Sequence, residues 1–123
     1  MTNNKLKLIG GAALSLILIA VVAPSARTAT NALTLTASVQ NQACQGGNGV
    51  NVTLTATLSP PKTGVRYSWD FNNDGIFDTA ASTNPTVIHL YPDEANVTAT
   101  VKMTKGTRSL TDSVTFQALR CNG

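Results

Sequence analysis

Val50-Asn51-Val52-Thr53-Leu54-Thr55-Ala56-Thr57-Leu58-Ser59 puts an apolar side chain at every second position and a polar one between. A period of two is that of an extended chain, whose side chains point alternately to opposite faces. The stretch therefore reads as a strand with one face in a core and the other in water. Threonine fills most of the wet positions, and its branched Cβ suits a half-exposed pleat.

The same alternation recurs on both sides. Leu33, Leu35, Ala37 and Val39 interleave with Thr34, Thr36, Ser38 and Gln40, and Val65, Tyr67, Trp69 and Phe71 with Arg66, Ser68 and Asp70. Val97, Ala99, Val101 and Met103 interleave with Thr98, Thr100 and Lys102, and Val114, Phe116 and Ala118 with Thr115 and Gln117. Between the runs lie turn clusters such as Gly46-Gly47-Asn48-Gly49, Pro60-Pro61-Lys62-Thr63-Gly64, Asn72-Asn73-Asp74-Gly75 and Lys105-Gly106-Thr107. No helical period follows Ala23. Short strands at this spacing predict an all-β antiparallel sandwich or barrel.

The first 32 residues read differently. Lys5 and Lys7 precede Leu8–Ala23, 16 residues without a charge, and small residues follow (Pro24, Ser25, Ala26, Thr28, Ala29, Thr30). A basic start, an apolar run and a small-residue exit describe a secretory signal peptide. The run is shorter than the roughly 20 residues that a membrane span needs. Residues 1–32 are thus expected to be a helical signal segment and short leader, or an anchor where cleavage fails, and 33–123 the folded domain. The domain is expected outside the cell, in the periplasm or at the cell surface, touching a membrane only through an uncleaved leader.

Lys5, Lys7 and Arg27 carry the whole formal charge of +3. From Leu33 onward six bases face six acids, and the bases are scattered along the sequence. Nucleic-acid binding calls for a clustered basic footprint, so no nucleic-acid partner is expected. Cys44 and Cys121 are the only cysteines. In an exported chain they read as a disulfide, since neither the spacing nor neighbouring ligands suit metal or redox chemistry.

One segment narrows the architecture. Tyr67-Ser68-Trp69-Asp70-Phe71 runs into Asn73-Asp74-Gly75, and His89-Leu90-Tyr91 and Thr98-Ala99-Thr100-Val101 follow downstream. This resembles the PKD (polycystic kidney disease) domain, whose hallmark is a Trp-Asp-Phe strand entering a Gly-Asp-Gly type turn, then His-x-Tyr. The usual Gly after His-x-Tyr is replaced here by Glu94-Ala95-Asn96. The resemblance covers roughly Leu33 to Leu119. It implies an immunoglobulin-like β-sandwich and a non-catalytic extracellular module that makes protein or carbohydrate contacts and spaces other domains. In such sandwiches part of the first strand runs beside and parallel to the last. That topology implies Cys44 and Cys121 at one end, pinning the carboxy terminus to the first turn.

The candidate sites divide into core and loop. Tyr67, Trp69 and Phe71 share parity with Val65, which assigns them to the core rather than to a sugar-stacking platform. His89, the single histidine, shares parity with Val87 and Tyr91. With them it is expected in the structural core, half-buried and hydrogen-bonded near a turn. No catalytic residue is expected: no second histidine or free thiol accompanies His89, and the only acidic cluster lies in a single loop, whereas glycosidase chemistry needs two carboxyls facing each other across a cleft. Asp70-x-Asn72-x-Asp74-Gly75-x-x-Asp78 matches the front of a calcium loop, with oxygens at positions 1, 3, 5 and 9 and Gly at 6. Position 12, where a bidentate Glu belongs, is Ala81. The competing reading is a hairpin turn whose Asn-Asp-Gly supplies the positive φ angles. The expected function is an interaction or structural module without a cofactor, or alternatively a calcium-stabilised adhesion or carbohydrate-binding domain. Asn51-Val52-Thr53 and Asn96-Val97-Thr98 match glycosylation sequons.

Overall fold

The computed structural model describes residues 32–121; the leader reading for residues 1–31 lies outside them. Six strands follow one another: β1 (Thr34–Cys44), β2 (Val50–Ser59), β3 (Arg66–Asp70), β4 (Thr86–Tyr91), β5 (Asn96–Lys105) and β6 (Arg108–Gln117). They form two antiparallel sheets, ordered β1-β2-β4 and β3-β5-β6. The all-β sandwich expected from the alternation is the fold observed.

The apolar positions of the two sheets meet in one core. Val50, Val52, Leu54, Ala99, Val101 and Met103 are wholly buried, and Trp69 is 2 % exposed. Burying a side chain of the Val, Leu or Met kind is worth about 1.5–3 kcal/mol. The alternation of β2 and β5 therefore decides which faces turn inward, since a one-residue slip would put every such side chain in water.

Two strands are longer than their hydrophobic pattern. β1 continues past Gln40 to Cys44 because an irregularity between Val39 and Asn41 resets its register with β2. Such a bulge adds one residue to one strand and breaks the side-chain period, so the continuation does not alternate. β6 begins at Arg108, where Arg108–Ser113 pair with Thr100–Lys105 through backbone bonds that any side chain permits.

Gly49 sets how the turn after β1 meets β4. Its φ is 111°, and a Cβ there would lie 2.5 Å from the Tyr91 carbonyl oxygen. Only glycine fits so close an approach at that angle. Glu94 also takes a left-handed φ, 58°, at the place where the resembled family carries Gly. Its N–H donates to the Leu119 carbonyl (3.0 Å) and its carboxylate pairs with Arg120 (2.7 Å).

Candidate functional site

The acidic loop is wired inward. Asp70 stands at a parity that suggested solvent, yet it is 1 % exposed. The chain after β3 folds back over it. Its Oδ2 accepts the Gly75 N–H (2.8 Å) and its Oδ1 the Asp74 N–H (3.3 Å). Asp78 accepts the Phe71 N–H (2.8 Å), and Asp74 the Ile76 N–H (2.8 Å). Asn72 is exposed, while the neighbouring Asn73 accepts the Thr100 hydroxyl (2.8 Å). Asn73 and Gly75 take positive φ angles of 56° and 90°, as a turn here requires. The turn is not a hairpin, however: β3 pairs with β5 and β4 with β2, so this segment crosses between sheets. The carboxylates are aimed at separate backbone amides. Among the described residues no three His, Cys, Asp or Glu side chains gather as metal ligands would. A calcium ion needs six to eight oxygens converging on one point; here Asp70, Asp74 and Asp78 each turn a carboxylate oxygen to a backbone amide.

Phe71, His89, Tyr91 and Phe116 stack in a column at the same end. Tyr67, Trp69, Phe71 and Tyr91 are buried. His89 is half-buried and stacks on Phe71, centroids 4.0 Å apart, with Tyr91 edge-on at 4.6 Å. Stacking, rather than the expected hydrogen bond, holds the ring; its nitrogens have no partner among the described residues. Burial lowers the His89 pKa, and Asp78 offsets part of that. The Tyr91 hydroxyl donates to the buried Phe71 carbonyl (2.8 Å). Its pKa is pushed up to about 12, by burial first and then by Asp78 and Asp70. Trp69 Nε1 and Asp93 Oδ1 are buried without a partner among the described residues.

Sheet edges differ sharply in how they end. At β3, Tyr67 exchanges both backbone bonds with Ser82 (2.7 and 3.0 Å). The Trp69 N–H donates to the Thr79 hydroxyl (2.8 Å), and its carbonyl accepts from Asp78 N–H (2.7 Å). Residues 78–82 thus seal that edge. β1 and β6 lie side by side and parallel, joined through side chains rather than a ladder. The Ala37 N–H donates to Asp112 (2.7 Å), and Gln42 bonds the Gln117 carbonyl (3.2 Å) and the Leu119 N–H (2.9 Å). Cys44 and Cys121 close this seam with a disulfide, Cα atoms 5.5 Å apart.

Among the described residues β4 has no such cover. Ala56 N–H donates to the Pro85 carbonyl (2.9 Å), and the ladder pairs Leu54 with Val87, Val52 with His89 and Val50 with Tyr91. In an antiparallel ladder, residues one step out of phase turn their N–H and C=O the other way. The backbone groups of Ile88 and Leu90 therefore face off the sheet, and no described residue bonds them. Their side chains are exposed as well, 62 % and 47 %. The sequence held a signal for this that the alternation argument passed over. β2 and β5 fill their outward positions mainly with Thr, Asn and Lys, whereas β4 puts Ile and Leu there.

Four of the six bases after Leu33, scattered in sequence, gather in space. Antiparallel pairing brings Arg66 beside Thr104 and Lys105 beside Arg108, and Lys105 Nζ donates to the Thr63 carbonyl (2.6 Å) next to Lys62. These four bases share one end of the sandwich. Asp93, Glu94 and the acidic loop lie toward the opposite end, where Tyr91 and the disulfide sit.

Two antiparallel sheets, a core Trp on the strand of the second sheet and a seam between first and last strands define an immunoglobulin-like β-sandwich module. The comparison with protein families is specific. The family model described as PKD domain matches residues 32–118, and the chain belongs to the PKD domain family. PKD domains are immunoglobulin-like modules of the adhesion type, typically extracellular. No curated protein and no solved structure matches the chain.

Proposed function

We propose that the chain is an exported, non-catalytic module that makes protein contacts outside the cell through the open edge of β4. The observation that carries this reading is the contrast among the edges. β3 is covered by residues 78–82, β1 and β6 lie against one another through side-chain bonds, and β4 presents backbone groups that no described residue bonds, flanked by Ile88 and Leu90. Exposed strand edges are templates for another strand, and proteins normally blunt them with Lys, Pro, a bulge or a covering loop. Thr86–Tyr91 carries none of the first three.

The remaining groups support the same reading. His89 is spent on stacking and the loop acids on backbone amides, and among the described residues no pair of groups stands arranged as nucleophile and base. Tyr67, Trp69 and Phe71 are inside, so no aromatic platform favours sugar over protein. The leader residues and the disulfide favour export, and mass spectrometry of the native protein is expected to find an amino terminus between Ser25 and Leu33.

The test is retention of the labelled chain on intact producing cells. Binding is expected to be lost after protease treatment of the cells and in Ile88→Lys. Binding that survives protease and disappears with glycosidase, or that is unchanged in Ile88→Lys, defeats the reading.

A further inference from the structure

The open edge of β4 borders a hollow between the sheets. We infer that the strand this edge accepts carries a basic side chain, arginine or lysine, which enters the hollow and meets Asp78. The inference rests on β4 being the contact surface, and it adds the chemistry of the segment that binds there.

The ladder fixes where a bound side chain goes. The Ala56–Pro85 bond sets the phase of β4 against β2, so Ile88 and Leu90 turn their backbone groups outward. Thr86 N–H is taken by Asn84 Oδ1 (3.0 Å), and Pro92 has no N–H. Ile88 and Leu90 are therefore the positions that offer both donor and acceptor. A strand added there alternates as β4 does. Its residues opposite Ile88 and Leu90 lie on the outer face, and the one opposite His89 points inward with the His89 ring. In recognition of this kind main-chain bonds give affinity, and hollows for alternate side chains give specificity.

The hollow, about 450 Å³, lies where that inward side chain arrives. His89, Leu90 and Tyr91 line it from β4, and Phe71, Asn72 and Asp78 from the end of β3 and its loop. Phe71 and Tyr91 are buried, and His89 stacks on Phe71, so much of the lining is aromatic.

Charge selects the side chain. Asp78 is exposed. Its Oδ2 accepts the Phe71 N–H (2.8 Å), and its Oδ1 has no partner among the described residues. Its charge reaches the hollow, since it acts on both His89 and Tyr91. Among the described residues no Lys or Arg lines the hollow. Lys102 sits over the Phe77 ring (5.4 Å) and Arg120 pairs with Glu94. A strand laid along β4 takes Asp78 partly out of water, which is costly for a charge left unpaired. A basic side chain offsets that cost. Its alkyl stem lies on the aromatic lining while its head stays polar, and a guanidinium also stacks on aromatic faces. An apolar side chain would cover Asp78 without pairing it, and an acidic one would repel it.

Fluorescence anisotropy of the full chain with labelled, end-blocked peptides tests this. The series is Thr-Thr-Val-X-Val-Thr-Thr, with arginine, leucine or glutamate at X. Its valines cover Ile88 and Leu90 when X lies opposite His89. The arginine peptide is expected to bind at least about tenfold more tightly than the glutamate peptide, the factor that 1.4 kcal/mol represents, with leucine between them. Asp78→Asn keeps an acceptor for the Phe71 N–H but removes the charge, and is expected to abolish that preference. Raising sodium chloride from about 0.1 M to about 1 M, which shortens the Debye length from about 10 Å to about 3 Å, should weaken the arginine peptide and spare the leucine one. An arginine peptide with proline in place of both valines keeps the charge but lacks two ladder donors, and is expected to bind far more weakly. Ile88→Pro, of a kind tolerated where the N–H faces off an edge, should weaken all three peptides. Circular dichroism checks that each variant keeps its β spectrum. Equal affinity for the three peptides, lost in Ile88→Pro, overturns the basic side chain and leaves the contact edge standing. A preference for arginine that persists in Asp78→Asn, or undiminished binding of the proline peptide, overturns the inference too, because attraction to the acidic end would then explain it. Failure of every peptide to bind overturns both the inference and the contact edge.

Discussion

The edges of β3 and β4 are built from similar material and finished in opposite ways. Both strands are short, and each pairs with one other strand only, β3 with β5 and β4 with β2. Outside β3, residues 78–82 supply backbone and side-chain partners to Tyr67, Trp69 and Phe71. Outside β4 nothing in the described chain supplies any. The inter-sheet crossover serves one edge and, by its length and course, leaves the other. Substitutions along the sealed edges should therefore act on stability, and substitutions along the bare one on association.

The largest effect is expected at the β1–β6 seam. Cys44 and Cys121 are 77 positions apart, and the chain-entropy model gives about 4.5 kcal/mol for closing a loop of that length. Reduction, or Cys44→Ser with Cys121→Ser, should lower the denaturant midpoint accordingly while the β spectrum persists in buffer. Intact mass with and without reduction should show both cysteines paired within one chain. Close behind comes Trp69→Ala, which empties a site 2 % exposed. It is expected to cost about 3–5 kcal/mol, read from chemical denaturation. A Trp69→Ala protein of normal stability that had lost only binding would make Trp69 a ligand platform.

The direct comparison of edges is smaller and sharper. Asp78→Ala removes the acceptor of the Phe71 N–H from the sealed edge and is expected to cost about 1.5 kcal/mol, typical of a bond to a charged group that is partly solvated. Ile88→Lys on the bare edge is expected to stay within about 0.5 kcal/mol in the unbound chain, as for surface substitutions. Equal costs at the two positions would break the contrast.

The aromatic column behind both edges makes stability depend on pH at both extremes. His89 is held below its ordinary 6.5, so as pH falls through 6.5 the unfolded chain takes up a proton before the folded one. Stability contributed there is complete above 6.5 and declines below it. Tyr91 is raised from 10.0 to about 12, so the folded chain keeps a proton the unfolded chain releases, and stability declines between pH 10 and 12. Melting curves across pH should show both declines, with the alkaline one reduced in Tyr91→Phe.

Legibility in the sequence followed the length of uninterrupted alternation. β2 and β5 alternate without a break, and their buried residues were readable one by one. β1 lost legibility at its bulge, and the start of β6 was invisible because Arg108–Ser113 are mostly polar and paired through backbone. Asp70 departs from its parity because alternation distinguishes only the two faces of a strand, not a loop folding over one of them. The basic pole depends on which turns share an end, a property of pairing rather than of sequence spacing. Ile88 and Leu90 were the recoverable omission: two apolar residues at outward parity, in a chain that elsewhere puts Thr there.

The smallest expected effect concerns calcium, where the loop that seals β3 meets the reading its spacing first suggested. Asp70, Asn72, Asp74 and Asp78 have the order of a calcium loop. In the fold, Asp70 accepts two N–H groups, Asp78 one and Asp74 one. Those amides turn the positive ends of their dipoles toward the oxygens a cation would need. A cation would have to share these oxygens with the amides they already accept, and Ala81 offers no bidentate carboxylate. A site of the weak extracellular type, with a dissociation constant near about 10⁻⁴ M, would add about 2.7 kcal/mol at a hundredfold excess of calcium. For a domain of this size that is a rise of roughly 10 °C or more in melting temperature. The expectation from the amide wiring is instead the same melting temperature in chelator and in about 10 mM calcium, for wild type and Asp74→Ala alike. A rise of the larger size that disappears in Asp74→Ala would show that the seal on β3 opens to take an ion. It would also mean that the closed edge, rather than the bare one, is where this module responds to its surroundings.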